Sequence, residues 1–86
     1  MNKTSILVVD DEPCIIKLLR ANLETQGYRV LTAINGADAI RVFEMEPPSL
    51  VILDIMMPVM DGFEVCRRLR EWSQVPIIML SVINNE

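Results

Sequence analysis

The chain has 86 residues, eight basic against twelve acidic for a net charge of -4, and 51% of it is hydrophobic. That is one small domain, burying only about 60–65% of the surface its unfolded chain exposes, and its apolar content excludes a disordered tail. The acidic balance argues against direct nucleic acid binding; no apolar run nears the roughly 20 residues of a membrane span, and Met1 to Ser5 form no signal peptide, so the expected location is cytoplasmic.

The first element is a strand, Ile6-Leu7-Val8-Val9. An unbroken, β-branched apolar run implies burial on both faces, as in the centre of a parallel sheet. Pro13 then fits the first turn of a helix capped by Asp10 or Asp11. Ile16, Leu19 and Leu23 form its apolar face, and Gly27 closes it. A weaker strand runs from Tyr28 to Ala33. A second helix spans about Ala37 to Met45, with Ile40 and Phe43 inward and Pro47-Pro48 ending it. Leu50-Val51-Ile52-Leu53 is the third strand.

Asp61-Gly62-Phe63-Glu64 reads as a capping box in which Asp61 caps and Glu64 reaches back. The third helix continues through Val65 and Leu69 to about Trp72. Its Arg67, Arg68 and Arg70 are interleaved with Glu64 and Glu71, which describes a solvated face rather than a docking patch. Ile77-Ile78-Met79-Leu80 is the fourth strand.

Strands alternating with helices predict an α/β fold, a parallel sheet covered on both faces. Residues 1–86 form one domain, without linker or repeat. The fourth strand is as apolar as the central ones, yet it stands at the sheet edge, where an open strand is a template for pairing. The expectation is a C-terminally incomplete domain in which something else covers Ile77 to Leu80. Cys14 and Cys66 lack metal-ligand spacing and fall on helices over opposite faces, so both are expected as free, buried or half-buried thiols.

Ligands of an open parallel sheet bind beyond the carboxyl ends of its strands. Those ends carry Asp10-Asp11 after the first strand, Asp54 after the third and Ser81 after the fourth. Two carboxylates ~4 Å apart repel by about 1 kcal/mol in water and roughly 4 at an effective dielectric of 20, so three require a proton or a cation. An all-oxygen donor set without histidine or thiolate favours a hard ion, and Mg²⁺ is the natural one. A carboxylate beside it can attack phosphorus to give an aspartyl phosphate. Asp54, single and central, is the best-placed nucleophile, and the Ser81 hydroxyl would donate to a phosphoryl oxygen. Taken singly, each has an ordinary reading: Asp10 or Asp11 a helix cap, Asp54 a turn starter, Ser81 a strand-end residue. Their coincidence at successive strand ends is what argues for a site.

The chain from Ile6 to Ser81 resembles the receiver domains of two-component response regulators. The resemblance rests on Val8-Val9-Asp10-Asp11-Glu12-Pro13, on Asn35-Gly36, on Leu53-Asp54 through Pro58 to Asp61-Gly62, and on Val75-Pro76 through Leu80-Ser81. Arg68-Leu69-Arg70-Glu71-Trp72-Ser73 is similar to the branch carrying a winged-helix DNA-binding domain after the receiver. The resemblance implies a flavodoxin-like doubly wound sheet of order 2-1-3-4, lacking the fifth strand and its two flanking helices. It implies that Asp54 accepts the phosphoryl group from a sensor histidine kinase's phosphohistidine. Asp11 and Asp54 would ligate Mg²⁺ with the Met56 main-chain carbonyl, Asp10 would assist through water, and Ser81 would be the switch hydroxyl. Pro58 and Gly62 would shape the loop after Asp54.

The sequence departs from the family pattern in ending before the usual lysine and aromatic switch residue, and in carrying Val82 after Ser81. The expectation is retained Mg²⁺ binding, slow phosphorylation and impaired switching. Two other classes compete. A dehalogenase-type phosphatase would place a second aspartate two residues past its nucleophile; here Met56 follows Asp54 and Glu12 follows Asp10 at that spacing, so an enzyme is not expected. The other is a phosphorylation-independent interaction module, dimerising through the exposed fourth-strand edge.

Overall fold

The computed structural model describes residues 3–81. Along the chain lie β1 (Ser5–Val9), α1 (Pro13–Thr25), β2 (Arg29–Ala33), α2 (Gly36–Met45), β3 (Leu50–Asp54), α3 (Gly62–Arg70) and β4 (Ile77–Leu80). The four strands form one sheet in the order β2-β1-β3-β4, and every pairing is parallel. This is the doubly wound, flavodoxin-like arrangement expected from the sequence, with four strands and three helices among the described residues. Val82 lies outside them.

Alternation along β1 shows why both faces are covered. Leu7 and Val9 point into one core with Val51, Leu53, Ala39, Phe43, Val65 and Leu69, beneath α2 and α3. Ile6 and Val8 point the other way, with Val30, and meet Ile16, Leu19 and Leu23 of α1. Each valine, leucine, isoleucine or phenylalanine side chain buried this fully contributes roughly 1.5–3 kcal/mol relative to exposure. The two helices on the first face are joined at their ends by Phe43 and Trp72, edge to face with ring centroids 5.3 Å apart.

Helix ends account for most differences from expectation. Neither Asp10 nor Asp11 caps α1: the N-cap is Glu12, without a side-chain cap bond. Asp10 Oδ1 instead accepts the Glu12 N–H at 2.8 Å, a two-residue turn that competes with capping for the same oxygen. The C-terminus of α1 closes as predicted. Gly27, at φ 92°, donates its N–H to Glu24, and Tyr28 donates to Leu23, the paired bonds of a Schellman motif. The following strand starts at Arg29 rather than Tyr28, and α2 starts one residue early, capped by Asn35, whose side chain accepts the Asp38 N–H.

Only half of the α3 capping box forms. Asp61 accepts the Glu64 N–H at 2.9 Å, but the Glu64 carboxylate turns to Arg67 and Arg68 on the same helix instead of reaching back. The helix ends at Arg70, short of Trp72. Cys66 is half-buried as expected, whereas Cys14 is exposed, because it lies one residue into α1 on the side away from Ile16 and Leu19. At β4, Ile77 and Met79 pack into the larger core. Ile78 and Leu80 are 49% and 36% exposed, so the continuous apolar run is covered on one face only.

Candidate functional site: an acidic cluster at the strand ends

β1 and β3 are neighbours, with Val9 opposite Leu53. The residues following each therefore emerge side by side at the same sheet edge. There Asp10, Asp11 and Asp54 each offer a carboxylate oxygen, and the three oxygens lie within 4.8 Å of one another. β4 brings in the fourth expected residue. Leu80 is the register partner of Asp54, and the Ile55 N–H donates to the Leu80 carbonyl at 3.1 Å, so Ser81 leaves the sheet beside Asp54, exposed to solvent.

The carboxylates differ in environment. Among the described residues Asp10 is the one buried charged residue, 6% exposed. Burial pushes its pKa above the ordinary value, the bond from the Glu12 N–H partly offsets this, and the charges of Asp54, Asp11 and Glu12 push it further up. Asp11 is exposed and Asp54 half-buried. The Met56 N–H donates to Asp54 Oδ1 at 3.2 Å, which holds the main chain at Met56 against the carboxylate and leaves Oδ2 free of that bond. The Met56 side chain itself is exposed.

Gly62 sets the return of the loop. Its N–H donates to the Ile55 carbonyl at 2.9 Å, and a β-carbon there would lie 2.5 Å from the Asp54 main-chain oxygen. Only glycine lets α3 start this close to β3. Two residues near this edge had been given no structural role from the sequence. Asn35 anchors α2 at the same edge by its cap, signalled by an Asn followed three residues on by Asp38. Val59 sits at φ 70°, which no local motif announces.

Chemically, the cluster is three hard oxygen donors with converging negative charge and one partly desolvated member. That set fits a divalent cation of the Mg²⁺ type, which binds through one or two carboxylates and keeps waters. The cluster meets solvent at Asp11, which is exposed, as is Ser81 beside Asp54. A groove of about 570 Å³ lined by Val59, Asp61, Phe63, Glu64, Arg67 and Arg68 runs along α3 and does not include Asp10, Asp11 or Asp54. Among the described residues, no helix is long and apolar enough to cross a membrane.

Comparison with known proteins gives a consistent picture. Residues 6–86 match the family model described as response regulator receiver domain. The chain is 49% identical over 87 residues to the alkaline phosphatase synthesis transcriptional regulatory protein PhoP of Bacillus subtilis, covering 100% of this chain and 36% of that protein. It is 48% identical over 85 residues to the probable transcriptional regulator ycf27 of Cyanophora paradoxa, covering 99% of this chain and 36% of that protein. The chain thus spans about a third of the length of these relatives. Among solved structures, the BeF3-activated N-terminal receiver domain of Klebsiella pneumoniae RstA superposes with a TM-score of 0.88 at 36% identity, covering 96% of this chain and 71% of that one. The chemotaxis protein CheY4 of Vibrio cholerae gives 0.91 at 31% identity, covering 98% and 72%.

Proposed function

Because the chain belongs to the response regulator receiver domain family, we propose that Asp54 accepts a phosphoryl group from a sensor histidine kinase's phosphohistidine, in a reaction that requires Mg²⁺. The observation that carries this reading is the convergence of Asp10, Asp11 and Asp54 oxygens within 4.8 Å, since like charge gathered at one sheet edge is repulsive and a divalent cation with oxygen ligands offsets it.

Asp11 and Asp54, with the Met56 carbonyl, would hold the ion, and Asp10 would act through water. Mg²⁺ bound there supplies positive charge to phosphoryl oxygens. This chain's own residues do the positioning. The Met56 N–H fixes Asp54 Oδ1, so Oδ2 is the oxygen presented to phosphorus. The phosphorus–nitrogen bond of the donor breaks, an oxygen–phosphorus bond to Asp54 forms, and the imidazole leaves with its electron pair. Ser81 then donates its hydroxyl to a phosphoryl oxygen. Exposure of Asp11 and Ser81 suits a donor delivered by another protein.

The output is a change of conformation biased by the phosphoryl group rather than turnover of a substrate. The curated relatives are named as transcriptional regulators, which supports transcription as the process switched. The site of action is the cytosol, and the net charge of -4 leaves DNA contact to some other domain. Mg²⁺ binding is tested by titrating the metal-free chain calorimetrically. The wild type should bind one ion, and Asp54→Asn should bind it at least tenfold more weakly; equal affinity in the two would refute the ligand set.

A second reading, a phosphorylation-independent dimerisation module, is favoured by β4. This edge strand pairs on one side with β3 and exposes Ile78 and Leu80. Unpaired backbone groups beside exposed apolar side chains favour association with a second copy. Sedimentation at micromolar concentration checks it. A dimer that Ile78→Lys converts to monomer supports this reading, and a monomeric wild type removes it.

A further inference from the structure

Val59 is the one non-glycine residue with positive φ among the described residues, at 70°. Across it the Met60 N–H donates to the Pro58 carbonyl at 2.8 Å. A bond spanning two residues about a centre at this φ makes a γ-turn of the rarer, strained hand. At positive φ the β-carbon is crowded by the backbone, and a β-branched residue is the least suited to it. Burial does not compensate, because the Val59 side chain is fully exposed.

The neighbours over-determine the turn. Pro58 has a fixed φ. The Met60 side chain lies over Gly36, where a β-carbon would meet its Sδ at 2.8 Å. Both ends of the loop are tied at Asp54: the Met56 N–H donates to its carboxylate, and the Gly62 N–H donates to the adjacent Ile55 carbonyl. Strain of this kind persists only where the surroundings hold it.

We propose that Val59 makes the loop between β3 and α3 a two-position element: a closed, strained turn that fixes Asp54 through Met56, and an open form in which Val59 returns to negative φ. Opening breaks the Met60-to-Pro58 bond, lifts Met60 from Gly36 and loosens the Met56 amide from Asp54. The significance for phosphoryl transfer rests on the receiver reading; the strain itself does not. Val59 is thus a positioning residue, acting on Asp54 through the main chain.

The test uses Val59→Gly, Val59→Asn and Val59→Ala in the whole chain, free of magnesium and phospho-donor. Thermal unfolding and amide hydrogen exchange are measured on each. The glycine variant should raise the unfolding midpoint by about 4–8 °C, the shift expected of a small domain for relief of a modest strain. Asparagine, which is enriched among non-glycine residues at positive φ, should fall between glycine and alanine. Exchange at the Met60 and Met56 amides should slow about tenfold in Val59→Gly, since both report opening of the loop.

A lower midpoint in the glycine variant, as at an ordinary exposed position, would overturn the proposal. A raised midpoint with unchanged Met60 exchange would also overturn it, placing the gain outside this turn. Slower exchange at Met60 but not at Met56 would remove the link to Asp54. None of these readouts uses Asp54 chemistry, so failure of the phosphorylation reading leaves them interpretable.

Discussion

The missing β-carbon of Gly62 and the main-chain oxygen of Asp54 occupy nearly the same space: a methyl there would sit 2.5 Å from that oxygen and 2.8 Å from the Ile55 Cα. The obstacle is backbone, which cannot rotate aside as a side-chain tip can. Gly62→Ala therefore pushes α3 away from β3 or displaces Asp54. It should cost about 1–3 kcal/mol, the usual range for overpacking. Urea denaturation checks this, with a lower midpoint at unchanged slope.

The acidic cluster should make the metal-free chain less stable than its shape allows. Asp10→Asn keeps an oxygen for the Glu12 N–H and removes one charge from a buried position. At neutral pH without Mg²⁺ it should stabilise the chain by about 1 kcal/mol or more, as for one like-charge pair. Saturating Mg²⁺ at a hundred times its Kd should stabilise the wild type by about 2.7 kcal/mol. Chemical denaturation with and without the ion measures both, and an Asp10→Asn variant less stable than wild type in the absence of metal would contradict the repulsion.

Glu64 governs part of the acid limb. Its hydrogen bonds to Arg67 and Arg68 lower its pKa from 4.5 to about 2. A depressed carboxylate contributes stability that is present above its unfolded value and lost as pH falls through its folded one. The loss therefore falls between pH 4.5 and about 2. Glu64→Gln should flatten stability across that window, and 1 M salt should do so partly in the wild type, because the group is exposed and screened. A slope identical in variant and wild type would refute it.

Capping of α3 is separable from that ion pair. Asp61→Ala removes the acceptor for the Glu64 N–H and should cost about 1 kcal/mol, while Asp61→Asn should cost less because asparagine caps as well. Equal loss in both variants would show that the charge, not the hydrogen bond, matters at this position.

The strands were readable because long-range packing and local pattern agree, whereas their order came from the family resemblance. β1 and β3 are continuous apolar runs, and the residues closing them, Asp10 and Asp54, are polar because the sheet ends there. The acidic cluster followed from that single coincidence. Helix starts were less legible, since one side-chain oxygen has several possible donors. Asp10 bonds to Glu12 rather than capping α1, and Glu64 faces two arginines rather than its own cap. Exposure of Ile78 and Leu80 depends on what lies beside β4, which composition does not encode. The conformation of Val59 is legible only in three dimensions, because the positions of Gly36, Asp54 and Gly62 impose it.

The most direct test of the account is the intact mass of the chain after treatment with a small phospho-donor, with and without Mg²⁺, alongside Asp54→Asn. The wild type should gain the mass of one phosphoryl group, dependent on Mg²⁺, and the variant should not. Labelling that proceeds equally without Mg²⁺, or equally in Asp54→Asn, would contradict it.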